Sequence, residues 1–151
     1  MTKKLAVRFD APRQTAAARR VSDEELHALA DFRHELRRFL RASEEVCKSE
    51  GVTPLQYQML LQTRGSPERN WIFVGELADR LQGAPHGVVA LVSRAEAAGL
   101  ATRKTDAADR RQVQVHTTAR GNRLLRRIAA KHLHELSGLY QVLLSIGSRR
   151  D

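Results

Sequence analysis

The chain has 151 residues and a single cysteine, Cys47. One thiol excludes an intrachain disulfide framework and a paired-cysteine metal site. Aromatic residues make up only 5% of the chain, so its core has to be built from aliphatic side chains. No uninterrupted apolar run approaches the roughly 20 residues that a membrane-crossing helix needs. Lys3 and Lys4 stand near the start, but no apolar stretch of about 7–15 residues follows them, so the pattern of a secretory leader is missing. There is no Gly-rich phosphate loop, no G-x-S-x-G, no H-E-x-x-H and no nucleophile with an adjacent base, which points away from an enzyme and from any cofactor. Acidic residues are also scarce: 17 against 26 lysines and arginines, for a formal charge of +9. These absences predict a soluble, cytoplasmic protein. The basic excess calls for a polyanionic partner, nucleic acid or an acidic membrane surface.

Hydrophobic residues make up 42% of the chain, enough for one compact unit with helical extensions. Residues 1–21 carry Lys3, Lys4, Arg8, Arg13, Arg19 and Arg20 against one acid, Asp10, with Pro12 between. They read as a basic, flexible arm that either tracks phosphates or is merely solvated. Ser22 followed by Asp23, Glu24 and Glu25 is a helix start, with Glu25 at the capping-box position. Leu26, Leu29, Leu36, Phe39, Leu40, Ser43 and Val46 recur at helical spacing from there to about Lys48, and Gly51 supplies the stop. So long a helix has more apolar stripe than a small domain can cover, and the stripe is expected to meet a partner chain.

Thr53-Pro54 opens a second helix, with Leu55, Met59 and Leu60 facing inward and Gln56, Gln58 and Gln62 outward. Arg64 to Asn70 is turn-rich, and Trp71, Ile72 and Phe73 form an apolar plug. A short helix, Val74–Leu81, buries Leu77, Ala78 and Leu81. After the turn Gln82-Gly83-Ala84, Pro85 opens a longer helix with Val88, Leu91 and Val92 inward. His86, Gly87, Val89, Ala90, Ser93 and Arg94 lie mainly on its other side, and Gly99 ends it. Two strands, Leu100–Thr105 and Gln112–Thr117, flank a loop holding Asp106, Asp109, Arg110 and Arg111. Thr118 caps a helix running through Leu124, Leu125, Ile128 and Leu133. A further apolar series follows, Leu136, Leu139, Tyr140, Leu143, Leu144 and Ile146, with a kink or split expected at Gly138 and a frayed tail at 148–151. A helix-turn-helix followed by a hairpin is a winged helix, so the predicted fold class is mainly α (α+β), with long terminal helices and a two-stranded wing.

Between Val74 and Gly121 the chain resembles the MarR family of bacterial winged-helix regulators. The matching string is GELADRL, then P-x-x-V-V-x-L-V-x-R-x-E-A-A-G-L, then D-x-x-D-R-R-x-V-x-V, then T-x-x-G. More loosely, TPLQYQMLL at Thr53–Leu61 looks like the family's second helix. The resemblance implies a homodimer whose terminal helices, 22–50 and 119–147, interleave as dimerisation helices around a DNA-binding region at 53–118. It further implies a single domain over 22–151, a palindromic operator on double-stranded DNA, and a small aromatic or anionic effector that releases it. A repressor associated with the nucleoid when bound to DNA is the expected role; the alternative is a low-specificity architectural or accessory DNA-binding protein.

The site residues expected from these readings are the exposed side of the recognition helix (His86, Gly87, Val89, Ala90, Ser93 and Arg94) together with Lys104, Asp109, Arg110 and Arg111. A recognition helix enters the major groove with its first residues nearest the bases. An arginine on the wing can reach the adjacent minor groove, where the potential is most negative. Asp109 is expected to shape the loop by pairing with one of the two arginines. Ala84, Gly87 and Ala90 replace polar residues common in the family, which leaves few side chains for bidentate base contacts and favours backbone and shape readout. Phe39, Tyr57 and Trp71 are the aromatic candidates for an effector pocket, with ordinary core packing as the competing reading. His27, Asp31 and His34 share a helical face, and His132, His134 and Glu135 lie near the other end. The sets read as polar surface rather than as metal ligands. Cys47 reads as a packing residue, although Lys48 and Arg41 could lower its pKa if it were redox-active.

Overall fold

In the computed structural model, residues 20–66 and 69–147 are described; most of the predicted arm and the tail 148–151 lie outside them. The elements are α1 (Asp23–Ser49), α2 (Pro54–Arg64), β1 (Trp71–Phe73), α3 (Val74–Leu81), α4 (Pro85–Ala97), β2 (Ala101–Thr105), β3 (Val113–Thr117) and α5 (Ala119–Gly147). Among the described residues no helix is long and apolar enough to cross a membrane.

The ends of the elements follow local chemistry. The Ser22 hydroxyl accepts from the Glu25 amide and the Glu25 carboxylate accepts from the Ser22 amide, which closes the expected capping box. Thr53 and Gln56 make the same reciprocal pair at α2, where Pro54 opens the helix. Gly51 and Gly99 both take left-handed backbone angles, φ 75° and 69°, which cost glycine little and other residues more. In the α3–α4 turn the left-handed residue is Gln82, φ 51°, and not Gly83. Its side-chain amide donates to the Asp79 carbonyl at 2.6 Å, a local bond that offsets strain. Gly83 matters for space, since a Cβ there would lie 3.3 Å from the Val88 side chain.

The core is aliphatic, as the composition requires. Met59 and Leu60 of α2, Ile72 of β1, Leu77 of α3, Leu91 and Val92 of α4, Val115 of β3 and Ile128 of α5 are fully buried together. Each such side chain contributes about 1.5–3 kcal/mol by leaving water. Two inward assignments need correction. Leu55 is exposed, because Tyr57 takes the inner side of the first turn of α2 and lies about 200° of helix rotation away. Leu81 is only partly buried at the edge of the core.

Trp71–Phe73, expected as a plug, is a strand. It adds to the free edge of the wing to give a three-stranded antiparallel sheet in the order β1-β3-β2, with Ile72 opposite Val115 and Arg103 opposite Val115 from the other side. No split occurs at Gly138: α5 runs unbroken from Ala119 to Gly147. One glycine costs a helix only about 1 kcal/mol, and nothing crowds that position.

The long helices α1 and α5 pack on each other, tied at one end by Glu50. Its carboxylate accepts from Arg127 at 3.0 Å and Lys131 at 2.9 Å. Away from the winged helix their apolar residues stay in the open: Leu26, Leu29 and Leu40 on α1, Leu133, Leu136, Tyr140 and Leu144 on α5. α5 begins at a tight junction. The Thr118 amide donates to the Leu100 carbonyl at 3.1 Å, the Thr118 hydroxyl donates to the Gly99 carbonyl at 2.7 Å, and the Gly121 amide donates to that hydroxyl at 3.0 Å. A Cβ at Gly121 would lie 2.1 Å from the Leu100 oxygen. The T-x-x-G string is thus a point where helix and strand backbones touch. Gly121→Ala should destabilise the fold by about 3 kcal/mol or more, as overpacking against backbone does; chemical denaturation of parent and variant checks this, and an unchanged midpoint would contradict the junction.

Candidate nucleic-acid interface

Helices α3 and α4 meet at the Gln82 turn, with Val88, Leu91, Val92 and Ala95 of α4 pressed into the core. That burial turns His86, Gly87, Val89, Ala90 and Arg94 outward, all exposed, with Ser93 half-buried. The Ser93 hydroxyl donates to the Val89 carbonyl at 3.0 Å, so its proton is engaged within the helix. At the start of α4, Ala84 provides no side-chain cap. The first-turn N–H groups therefore have no side-chain acceptor, and a free helix N-terminus suits a phosphate.

The wing is organised by its acids. Asp106 accepts from the amides of Ala108 and Asp109 at 2.9 Å each, the turn that an aspartate favours two residues ahead of itself. Asp109 accepts from the Arg111 amide and Nε at 3.0 Å and from its Nη2 at 3.1 Å. The expected pairing of Asp109 with one arginine is therefore with Arg111. The Arg111 bond holds the Asp109 carboxyl below its usual pKa, and the same bond raises Arg111. Arg111 remains 91% exposed at its side chain, and Arg110 has no carboxylate partner among the described residues. Lys104 is exposed on β2, opposite Gln114.

A cleft lies between the start of α4 and the wing, lined by Pro85, Val89 and Val92 on one side and Arg103, Arg111 and Val113 on the other. It brings Val89 and Arg111 together. His86, Gly87, Ala90, Ser93, Arg94, Lys104, Asp109 and Arg110 do not line it. The angle between helix and wing is held by a clamp that the sequence did not disclose. The Glu96 carboxylate of α4 accepts from the Arg103 amide at 3.1 Å and from its Nε at 3.0 Å. The backbone and side chain of Arg103 together lower the Glu96 pKa. A second clamp joins β1 to α3, with the Arg69 guanidinium 4.6 Å from the Trp71 ring centre and 5.6 Å from that of Phe73, and ion-paired with Glu76.

The aromatic candidates separate. Phe39 and Tyr57 flank the imidazole of His132, ring centres 6.0 and 4.7 Å away, whereas Trp71 packs on Phe73 and His116 in the sheet. His132 is near His134 and Glu135 in sequence, but its ring neighbours lie across the helices and not along the chain. It is 4% exposed, and its Nε2 has no hydrogen-bond partner among the described residues. Burial lowers its pKa, against a smaller pull upward from the Ser43 backbone and Glu135. His134 is exposed, as are His27, Asp31 and His34, and among the described residues no group of three or more His, Cys, Asp or Glu side chains could hold a metal ion. Cys47 is fully buried and burial raises its pKa, with only the Ser43 side chain opposing. The lowering by Lys48 and Arg41 that redox activity would need is not there.

A helix-turn-helix, an antiparallel sheet and an arginine-bearing loop on one side of the core define a winged helix. Residues 50–112 match the model of the MarR family. Among curated proteins none matches. Among solved structures the fold is shared with AbsC, a MarR family transcriptional regulator from Streptomyces coelicolor, at 22% identity and TM-score 0.69 over 83% of this chain and 84% of that one. It is shared as well with a second MarR family regulator of the same organism in complex with DNA, at 21% identity and TM-score 0.66 over 80% and 76% of the two chains. CouR from Rhodococcus jostii RHA1, bound to p-coumaroyl-CoA, is similar at 23% identity and TM-score 0.60 over 69% and 71%.

Two expectations follow from the buried groups. Cys47 should react with a thiol reagent only at the rate at which the protein opens; rapid labelling of the native protein would contradict its packing. His132 has a folded pKa below its unfolded value of 6.5, so the folded state favours the neutral ring. Its contribution to stability is full above that value and is lost as pH falls below it. Denaturation at about pH 7.5 and 5.5 should show a smaller acid loss in His132→Leu than in the parent; equal losses would assign the effect elsewhere.

Proposed function

We propose that this chain is a DNA-binding transcriptional regulator, a homodimeric repressor that seats two α4 helices and two wings on a palindromic operator. The observation that carries this reading is the family winged helix itself, with the outer side of α4 uncovered beside a wing tipped by Arg110 and Arg111. The net charge of +9 favours a polyanion, and the DNA-bound regulator that shares the fold supports the same partner. Dimerisation through 22–50 and 119–147 is supported by the exposed leucines of α1 and α5, which a second copy would cover.

α4 carries few groups able to read base edges: Gly87 and Ala90 offer no polar atom, Val89 suits a thymine methyl, and His86 and Arg94 are its polar candidates. Its uncapped first turn, together with Arg110 and Arg111, favours phosphate and minor-groove contact. The protein thus holds DNA more firmly than it reads it, and the operator is recognised largely by shape. Release by a small aromatic or anionic effector is part of the proposal. The groove between α1 and α5 is lined by Phe39, Arg38, Arg41 and His134, a composition suited to such a molecule, and CouR with its bound p-coumaroyl-CoA is a fold relative that takes an aromatic anion.

Selection of bound fragments from genomic DNA should return an inverted repeat with half-sites about one helical turn apart. Arg110→Ala and Arg111→Ala should each weaken binding to it about tenfold to a hundredfold and flatten the salt dependence by roughly one unit of slope. Parent-like affinity in both variants would remove the wing from the interface. Equal affinity for selected and scrambled duplex at physiological salt would replace the regulator with a low-specificity architectural protein.

A further inference from the structure

Side chains on β3 alternate between two faces. Val115 points into the core, and Arg103 beside it reaches Glu96 of α4. Gln114 and His116 therefore point to the opposite face, turned away from α4, with Phe73 and Trp71 of β1 and Lys104 and Thr102 of β2 as their cross-strand neighbours. On that outer face a line of side-chain hydrogen bonds runs toward the wing tip. His116 Nε2 lies 2.9 Å from Gln114 Oε1, and Gln114 Nε2 donates to Asp106 Oδ2 at 2.6 Å. The other oxygen of Asp106 accepts from the amides of Ala108 and Asp109, and Asp109 holds Arg111 through its amide, Nε and Nη2.

The donors and acceptors leave little freedom along this line. A carboxylate only accepts, so Gln114 must turn its NH₂ to Asp106 and its carbonyl oxygen to His116, which then supplies the proton from Nε2. With Gln114 in place, three N–H donors converge on the Asp106 carboxylate. Those bonds hold its pKa below the usual carboxylate range: the Asp109 amide most, then Gln114, then the Ala108 amide, against some burial and the charge of Asp109. Charge-assisted bonds of this kind are short and stronger than neutral ones. Without Gln114, Asp106 keeps only bonds from its own loop and nothing ties that loop to the sheet through a side chain of β3.

We propose that Gln114 and His116 are positioning residues for DNA binding: from the far side of the sheet they peg Asp106, and through it the loop that presents Arg110 and Arg111. This rests on the wing contacting DNA as proposed above. Neither residue faces α4, and neither needs to touch DNA to matter.

The test is a double-mutant cycle read by DNA affinity, with Gln114→Leu and Gln114→Glu each made alone and with Arg111→Ala. Leu removes both bonds at similar size; Glu keeps the acceptor for His116 and loses the donor to Asp106, which remains informative if the Leu variant fails to fold. Each Gln114 variant alone should bind about tenfold more weakly and lower the salt slope as Arg111→Ala does. Added to Arg111→Ala, each should cost far less than it does alone, because both changes remove one contact. The amide signals of Ala108 and Asp109 in nuclear magnetic resonance spectra should shift in the Gln114 variants while signals from α4 stay in place. Parent-like affinity in the Gln114 variants, or losses that simply add to that of Arg111→Ala, would overturn the positioning role. If Arg111→Ala itself binds like the parent, the wing reading fails first and the cycle shows it.

Discussion

The backbone contact between Gly121 and Leu100 ties the molecule together. Thr118 bonds to the carbonyls of Gly99 and Leu100, and Gly121 lies so close to the second of these that a methyl group has no place. The end of α4, the start of β2 and the start of α5 therefore meet at one point, held by the backbone and the Thr118 hydroxyl. α5 continues from there to the clasp with α1 at Glu50. The end of α4 and the start of α5 are in this way fixed relative to each other at one junction.

Acidic residues are the minority charge, and five of them join elements or shape the wing. Glu50 links α1 to α5, Glu76 links α3 to the entry of β1 through Arg69, Glu96 links α4 to β2, and Asp106 and Asp109 shape the wing. Exposed ion pairs of this kind are screened by solvent and add little stability, so their role is in direction more than in stability. The aliphatic core supplies the stability, and the acids orient what the core holds. The basic residues left over, Arg110 among them, carry the chain's excess positive charge.

Gln114, as proposed, extends that division of labour to the outer face of the sheet. In the proposed binding mode the DNA-contacting arginines sit on the loop, and the groups that aim them sit behind. Bound in that way, the protein would depend less on α4, whose outer side carries Gly87, Val89 and Ala90, than on the rigidity of the wing.

Much of the chain was legible in order. Capping boxes at Ser22 and Thr53, the stops at Gly51 and Gly99, the inward stripe Val88-Leu91-Val92 and the hairpin around Asp109 are all set by bonds or periodicities within a few residues, so local physics decides them. The string from Val74 to Gly121 that resembles the MarR family follows the same local order. What needed the fold were relations between distant segments. Trp71–Phe73 became a strand because β3 offered an open edge; Leu55 lost its inner place to Tyr57 because the neighbouring helices chose the rotation of α2. His132 left its sequence neighbours for Phe39 and Tyr57, and Glu96 found Arg103 across a turn. By itself the sequence determined the helices, the two wing strands, their order and the chemistry of the wing tip, because those depend on contacts of short range. Only the tertiary structure decided which acid holds which base and which aromatic meets which histidine, because those pairings are made by elements that the chain brings together only on folding.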